Sequence, residues 1–177
     1  MKLLRTIQLD SSDTFVFERA ATPGEWAVSG AFEFLSQNIP ALKGRARTAF
    51  RAGFLGLQSL GRSTLVQIVD AAEQDRTAVA ETLAGQLVSG FGAPDLAAAR
   101  HAAEDEIAFV ASLCDHPAGM IIAVTRTFEG GSIRETFRTL RPGGQSSSRA
   151  FTFVEVVGED EAPEEHLNFE GLGEGRT

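Results

Sequence analysis

Residues 63–69, STLVQIV, decide the fold, and Asp70 ends this stretch. Branched apolar side chains occupy both of its faces, a pattern typical of a strand that is covered on one side and well shielded on the other. The pattern therefore predicts a central strand in the middle of a sheet.

Two long helices are predicted after this strand. The first spans Asp75–Phe91, because apolar residues recur there every four positions and form one broad stripe. Either Asp70 or Asp75 can cap its first turn, since both side chains accept hydrogen bonds from free backbone N–H groups. The second helix spans Asp95–Cys114, where apolar residues recur at intervals of three and four. A Gly-Ala-Pro turn separates the helices, so we expect an antiparallel helix pair.

A first strand and an aromatic hairpin are predicted before the central strand. The strand is Lys2–Leu9, and the hairpin pairs the alternating residues Phe15 and Phe17 with an alternating stretch from Trp26 to Phe34. Gly30 interrupts that stretch. It predicts either a β-bulge or a place where another backbone or a ligand approaches closely, and we favour the bulge.

A short helix, Asn38–Ala52, and a strand, Phe54–Leu60, complete the part before the central strand. Three basic residues, Lys43, Arg47 and Arg51, lie four apart on one side of that helix with no acidic residue between them. Like charges at this spacing repel mildly unless something neutralises them. We expect either pairing with carboxylates of the same domain or a site for an anion or an acidic partner.

A hairpin of Met120–Phe128 and Ser132–Leu140 is predicted around Gly130-Gly131, because glycines tolerate the positive φ angles of a two-residue turn. The register of that turn sets Arg126 opposite Glu135 on an otherwise apolar face. The same register pairs Phe128 with Ile133, Val124 with Phe137 and Ile122 with Thr139. The charged pair either lies exposed at the end of the hairpin, where it contributes little, or borders a ligand site.

These elements predict one α+β domain over residues 1–141, with a mostly antiparallel sheet of hairpins and the antiparallel helix pair packed on one face. Residues 142–177 begin as a Gly/Ser-rich linker. An added strand is predicted at 150–157, followed by an acidic, flexible tail at 158–177. From residue 142 onward two arginines face eight acidic residues, a net charge of −6. The rest of the chain therefore carries only −2 of the total of −8.

The chain length, the net charge and the number of cysteines narrow the class of protein. A chain of 177 residues suits one domain with its own core. The net charge of −8 disfavours binding to nucleic acid, which requires a basic surface. No segment combines about 18 apolar residues, and the N-terminus meets Asp10 too early for a signal peptide, so neither a membrane span nor export is expected. The single Cys114 fits a reducing compartment, and we expect a cytoplasmic protein.

Catalytic patterns are weak. Cys114 and His116 are close in sequence, and His101 and Asp105 are one helical turn apart, but neither pair comes with further residues at catalytic or metal-binding spacing. Cys114 also falls on the apolar stripe of its helix, where a core role is the default. The sequence predicts no metal and no cofactor, and it favours a protein that is not an enzyme.

Several stretches together resemble an uncharacterised family of small proteobacterial cytosolic proteins, a domain of unknown function. These stretches are FVFERA, GEWAVSGAF, AFRAGFLGL, STLVQIVDA, GFGAPDLAAAR, EIAFVASLCDHPAG and IRETFRTLR. The resemblance covers roughly residues 1–141, and the part after Arg141 departs from the family pattern. It implies a bacterial cytosolic protein of unassigned activity and assigns no catalytic residue.

We therefore expect an accessory or interaction protein that binds another protein through the basic helix face or the acidic tail. In the tail, the candidate anchors are Leu167, Phe169 and Leu172. The tail is expected either to lie loosely across Lys43, Arg47 and Arg51 or to bind a basic partner. A homo-oligomer is left open.

The alternative function is a small-ligand or enzyme domain. Its pocket would lie near Trp26 and the hairpin that carries Arg126 and Glu135.

Overall fold

The computed structural model describes residues 1–142 and the backbone of residues 155–161. In chain order, the helices and strands are β1 Lys2–Ile7, α1 Asp13–Val16, β2 Trp26–Val28, α2 Gly44–Ala52, β3 Phe54–Gly56, β4 Arg62–Ser63, β5 Leu65–Asp70, α3 Glu73–Gly90, α4 Leu96–Leu113, β6 Ile121–Glu129, β7 Ser132–Arg141 and β8 Glu155–Glu161. Two 3₁₀ turns, Ala31–Phe34 and Ile39–Ala41, lie between β2 and α2.

The strands form one antiparallel sheet in the order β4-β3-β2-β1-β5-β6-β7-β8. β5 lies between β1 and β6, so the central strand predicted from STLVQIV is confirmed. Helices α3 and α4 pack against each other, and their apolar stripes join the core of the sheet. The predicted α+β class with an antiparallel sheet is therefore confirmed.

The core lies between the helix pair and the sheet. The apolar patterns of the central strand, the helix pair and the hairpin predict nine buried residues: Leu65, Val66, Ile68, Leu83, Leu87, Ile107, Val110, Val124 and Phe137. The structure confirms the burial of all of them except Leu65. The prediction was wrong for Leu65, which is only half-buried. Leu65 alternates with Val66 and shares its sheet face with Gln67 and Val69, which are also half-buried.

The expected aromatic hairpin does not form. Phe15 lies in α1 rather than in a strand, and it is exposed, whereas Phe17 follows the helix and is buried. A tertiary contact explains the helix, because the Asp13 carboxylate accepts hydrogen bonds from Ser63 Oγ and the Thr64 backbone N–H. This anchor turns the chain where the alternating pattern alone predicted a strand.

Gly30 is not a β-bulge. β2 ends at Val28, and Gly30 has a φ of +71° and starts a 3₁₀ turn. A Cβ atom at this position would lie 2.5 Å from Leu55 Cβ and 3.0 Å from Arg62 Nη1. The prediction of a bulge was therefore wrong, and the glycine is required because Leu55 and Arg62 approach its backbone closely.

We expect Gly30→Ala to lower the free energy of unfolding by about 2 kcal/mol, since it combines a strained φ with overpacking. Gly85→Ala in α3 is the matched control. A Cβ there meets nothing within 4 Å, so this helix-interior change should stabilise by up to about 1 kcal/mol. Urea denaturation of both variants measures the difference. Equal effects would contradict the close approach at Gly30.

Three predicted elements have different bounds. The helix expected over Asn38–Ala52 is a 3₁₀ turn followed by α2, with a break at Leu42 and Lys43. The strand expected over Phe54–Leu60 ends at Gly56, because the Glu25 carboxylate accepts the backbone N–H groups of the next turn and bends the chain. The central strand is interrupted at Thr64, which separates β4 from β5.

Capping of the helix pair was partly predictable. α3 begins after Ala72 rather than after Asp70 or Asp75, and the Asp75 side chain accepts the Ala72 backbone N–H at 2.9 Å. Asp95, expected as the first residue of the second helix, is instead the N-cap of α4, and its side chain accepts the Ala98 N–H at 2.8 Å.

β8 pairs with β7 from Glu155, opposite Arg141, to Glu161, opposite Thr136. It overlaps the strand expected at 150–157 over residues 155–157. Residues 150–154, most of the predicted linker, and the tail beyond Glu161 with Leu167, Phe169 and Leu172 lie outside the described residues.

Candidate functional site

Arg126 and Glu135 face each other in the register that the glycine turn predicted. The expectation that this pair lies exposed at the end of the hairpin was wrong. Arg126 is 1% exposed and the Glu135 side chain is 11% exposed. The Glu135 carboxylate accepts a hydrogen bond from Arg126 Nε at 2.6 Å and another from the Ser29 hydroxyl. A buried charge is costly unless it is paired and hydrogen-bonded, and this arrangement meets both conditions.

Arg126 also fixes the C-terminal end of α2. Its Nη1 donates to Phe50 O at 3.0 Å and to Gly53 O at 2.8 Å. The last carbonyls of a helix lack partners within the helix and carry a partial negative charge, so a guanidinium there supplies both donors and charge. Nη2 donates to the carbonyl and the hydroxyl of Ser29. All five N–H groups of the side chain are therefore used within the protein.

A second buried arginine, Arg62, lies on the other side of the same carbonyl. Its Nη1 donates to Gly53 O at 3.1 Å, and Nη2 pairs with Glu33. Burial, followed by the positive charge of Arg126, lowers the pKa of Arg62 to about 9. The two guanidiniums thus converge on the last turn of α2.

Three carboxylates lie around the two guanidiniums. Glu135 and Glu33 form the ion pairs, and Glu106 of α4 accepts the Gly30 backbone N–H at 3.2 Å. We call Arg62, Arg126 and these three glutamates the arginine network. Its donors point at backbone carbonyls and at its own carboxylates, so its chemical role is to hold α2, β2 and the β6–β7 hairpin together.

Trp26 was predicted to share a site with Arg126 and Glu135, but it lies on the opposite face of the sheet. Its cross-strand neighbour Arg5 stacks over the indole, 3.7 Å from the ring centroid. Thr6, the next residue of β1, points to the other face, which Arg126 shares because β1, β5 and β6 pair without a register shift. The structure does not bring Trp26 to the charged pair.

Arg47 and Arg51 are exposed on one side of α2, and Lys43, the N-cap residue directly before the helix, is exposed as well; we call these three residues the basic stripe. At about 100° per residue, Arg47 and Arg51 lie about 40° apart around the helix axis. Within the described part of the chain, no carboxylate forms an ion pair with any of the three. The stripe therefore presents positive charge that no carboxylate of the described residues neutralises.

The catalytic candidates do not form a reactive centre. Cys114 is 2% exposed, and burial raises the pKa of its thiol to about 12. His101 and Asp105 lie exposed on α4, 3.7 Å apart. No group of three or more potential metal ligands occurs among the residues that the structure describes.

We expect Cys114 to resist thiol reagents at pH 8 in the folded protein and to react rapidly after denaturation, since only the thiolate reacts and burial disfavours it. The folded pKa is raised, so the unfolded state loses its proton first. The protonated thiol therefore contributes to the free energy of unfolding below about pH 9, and this contribution is lost as pH rises from about 9 to 12. Labelling kinetics with a chromogenic disulfide measure this, and fast labelling of the native protein would contradict it.

Sequence reasoning missed Arg62, Ser29 and Glu106 as partners of the Arg126–Glu135 pair. They come from a two-residue strand, a loop and α4, and only the folded chain brings them together. One signal was available: an arginine on an apolar face requires acceptors beyond a single carboxylate.

The chain belongs to a family of unknown function, DUF6505, whose model matches residues 1–156. This confirms the expected membership of a family of unknown function, and the match extends beyond residue 141. No curated protein and no solved structure matches the chain. Among the described residues, no helix combines the length and apolar character that crossing a membrane requires.

Proposed function

We propose that this protein is a non-enzymatic interaction protein, and that the basic stripe of α2 binds an acidic segment of a partner protein. Lys43, Arg47 and Arg51 carry this proposal, because they are exposed and form no ion pair with any residue that the structure describes. Such a stripe favours acidic partners and speeds their association, because the opposite charges attract before contact.

The arginine network supports the proposal because it fixes the helix that carries the stripe. Arg62 and Arg126 both bind Gly53 O, directly after α2, and Phe50 of α2 packs with Phe34 and Ile39. A rigid binding surface loses less conformational entropy when a partner binds. A partner would therefore meet a helix already held in place.

The surroundings of the stripe also offer apolar contact. α1 lies against α2, and its Phe15 is 69% exposed while Val16 is exposed as well. Exposed apolar side chains on a helix that contacts α2 suit a segment that mixes acidic and large apolar residues.

The alternative, a ligand pocket near Trp26, Arg126 and Glu135, draws less support. Every N–H group of Arg126 already has an acceptor in the protein, and Trp26 lies on the other sheet face. We also propose a bacterial, cytoplasmic setting, supported by the family resemblance and by the lone, buried cysteine.

The test compares two double variants of the full chain with equal charge changes. Arg47→Glu/Arg51→Glu reverses the stripe, and Arg19→Glu/Arg45→Glu reverses exposed arginines elsewhere, one of them on the other side of α2. We expect a partner captured by the wild type to bind the stripe variant about tenfold more weakly, since each reversal removes and inverts a weak pair.

The control variant should keep the wild-type affinity, measured by titration of the purified partner. Matching thermal melts would show that both variants are folded. Equal losses in both variants, or no retained partner at all, would refute the proposal.

A further inference from the structure

We infer that the C-terminal segment of this chain, residues 162–177, occupies the basic stripe when no partner is bound. The inference rests on the proposed function and adds its regulation: the chain covers its own binding surface, and a partner must displace the segment. The path of the chain, its length and its charge each support this occupant.

The described chain ends two strands from β6, the strand that contacts α2. β8 runs toward the β6–β7 turn and stops at Glu161, opposite Thr136. The neighbouring Glu135 binds Arg126, which in turn binds the carbonyls at the end of α2. Closer to the turn, Ile133 packs against the cluster that contains Phe50. Glu161, after which the segment begins, is therefore paired with the hairpin that binds the C-terminal end of α2.

The segment is long enough to cover the stripe. Residues 162–177 number 16, and an extended chain advances about 3.3 Å per residue, which gives a reach of about 50 Å. The nine residues of α2 span only about 13 Å. The segment can therefore run along the whole helix with several residues to spare.

The charges match in sign and number. The segment carries four glutamates against one arginine, a net charge of −3, and the stripe carries three positive charges. Leu167, Phe169 and Leu172 lie among these glutamates in the sequence, and Phe15 and Val16 are exposed beside α2. An acidic segment with large apolar residues is the kind of ligand that this surface accepts.

Tethering makes even a weak contact effective. Short tethers in general reach an effective concentration of about 1 mM, so a tethered segment with a Kd of about 0.1 mM would cover roughly nine-tenths of the sites. The apparent affinity for an external acidic segment would then fall about tenfold.

The first experiment locates the segment in the full chain. A nitroxide on Thr177→Cys is read by paramagnetic broadening of the amide signals of α2, while the buried Cys114 stays unlabelled. We expect broadening at Arg47 and Arg51. The broadening should vanish in the variant Glu164→Gln/Glu165→Gln/Glu170→Gln/Glu174→Gln and at 1 M salt, where the Debye length is about 3 Å.

Absence of broadening at α2, or broadening unchanged by those four substitutions, would overturn the inference. Broadening that arises only between labelled and unlabelled chains in a mixture would assign the site to the tail of a second copy and would also overturn it.

The second experiment measures the competition. A fluorescent peptide of residues 162–177 should bind the four-glutamine variant about tenfold more tightly than the wild type, because its own tail no longer competes. Adding Arg47→Glu/Arg51→Glu should abolish this binding, and adding Arg19→Glu/Arg45→Glu should preserve it. Equal affinity of the peptide for wild type and four-glutamine variant would refute self-masking.

Different results would refute the two proposals, partner binding at the basic stripe and occupation of the stripe by residues 162–177. If the tail does not dock, partner capture by the full chain still tests the stripe. If the tail docks but no partner distinguishes the stripe variant from its control, the proposed function fails alone.

Discussion

Replacing Arg126 with methionine is expected to lower the free energy of unfolding by about 3–5 kcal/mol, because it removes one member of a buried ion pair and leaves the other charge uncompensated. Glu135 loses its cation, and the carbonyls of Phe50 and Gly53 lose the Nη1 donor. Methionine fills much of the volume of the arginine stem, so the effect reports lost polar contacts more than a cavity. For a chain of this size the melting temperature should fall by about 8–16 °C.

Arg134→Met on the neighbouring strand is the matched control. That side chain is 60% exposed, and its Nε lies 3.8 Å from Glu129, so its removal should change stability by no more than about 0.5 kcal/mol. Urea denaturation followed by circular dichroism measures both variants. If Arg126→Met unfolded at the same urea concentration as Arg134→Met, the arginine network would not hold α2 in place.

Local patterns predicted those parts of the fold that local forces set. The Gly130-Gly131 turn fixes the β6–β7 register through backbone geometry alone, so Arg126 was placed opposite Glu135 correctly. The apolar stripes of α3 and α4 likewise predicted which side of each helix is buried, since helical spacing decides it.

Long-range contacts account for what the sequence did not predict. Phe15 and Phe17 alternate as strand residues do, but the Asp13 carboxylate holds this stretch as a short helix against Ser63, 50 residues away. Arg62 was not predicted as a site residue, because nothing in the neighbouring sequence shows that its side chain reaches Glu33 and Gly53. Contacts of this kind depend on how the sheet curls, and alternation along a strand carries no information about that curl.

The candidate site shows the same division. The basic stripe was predicted from a spacing of four, and all three of its residues are exposed, Arg47 and Arg51 on α2 and Lys43 at the N-cap before it. The pocket expected near Trp26 required a strand pairing that the sequence did not specify. Across the observed order β2-β1-β5-β6, Trp26 pairs with Arg5, Arg5 with Gln67, and Gln67 with Ile121, so Trp26 shares a face with the odd-numbered positions of β6. Arg126 is an even-numbered position of β6 and therefore lies on the other face.

The helix pair is expected to depend strongly on Leu83. This side chain is 0% exposed in the middle of α3, where that helix packs against α4 and the sheet. Leu83→Ala should lower the free energy of unfolding by about 2–5 kcal/mol, since it removes apolar transfer energy and leaves a cavity that tightly packed neighbours fill only partly.

Val88→Ala on the same helix provides the comparison. Val88 is 42% exposed, so this change should cost no more than about 0.5 kcal/mol, and the helix propensity of alanine offsets part of that. Urea titrations of both variants give the two free energies. No member of the arginine network lies on α3, so the effects of Leu83→Ala and Arg126→Met should add. A loss below about 1 kcal/mol for Leu83→Ala would mean that α3 is not packed on the sheet, and the core described above would then be wrong.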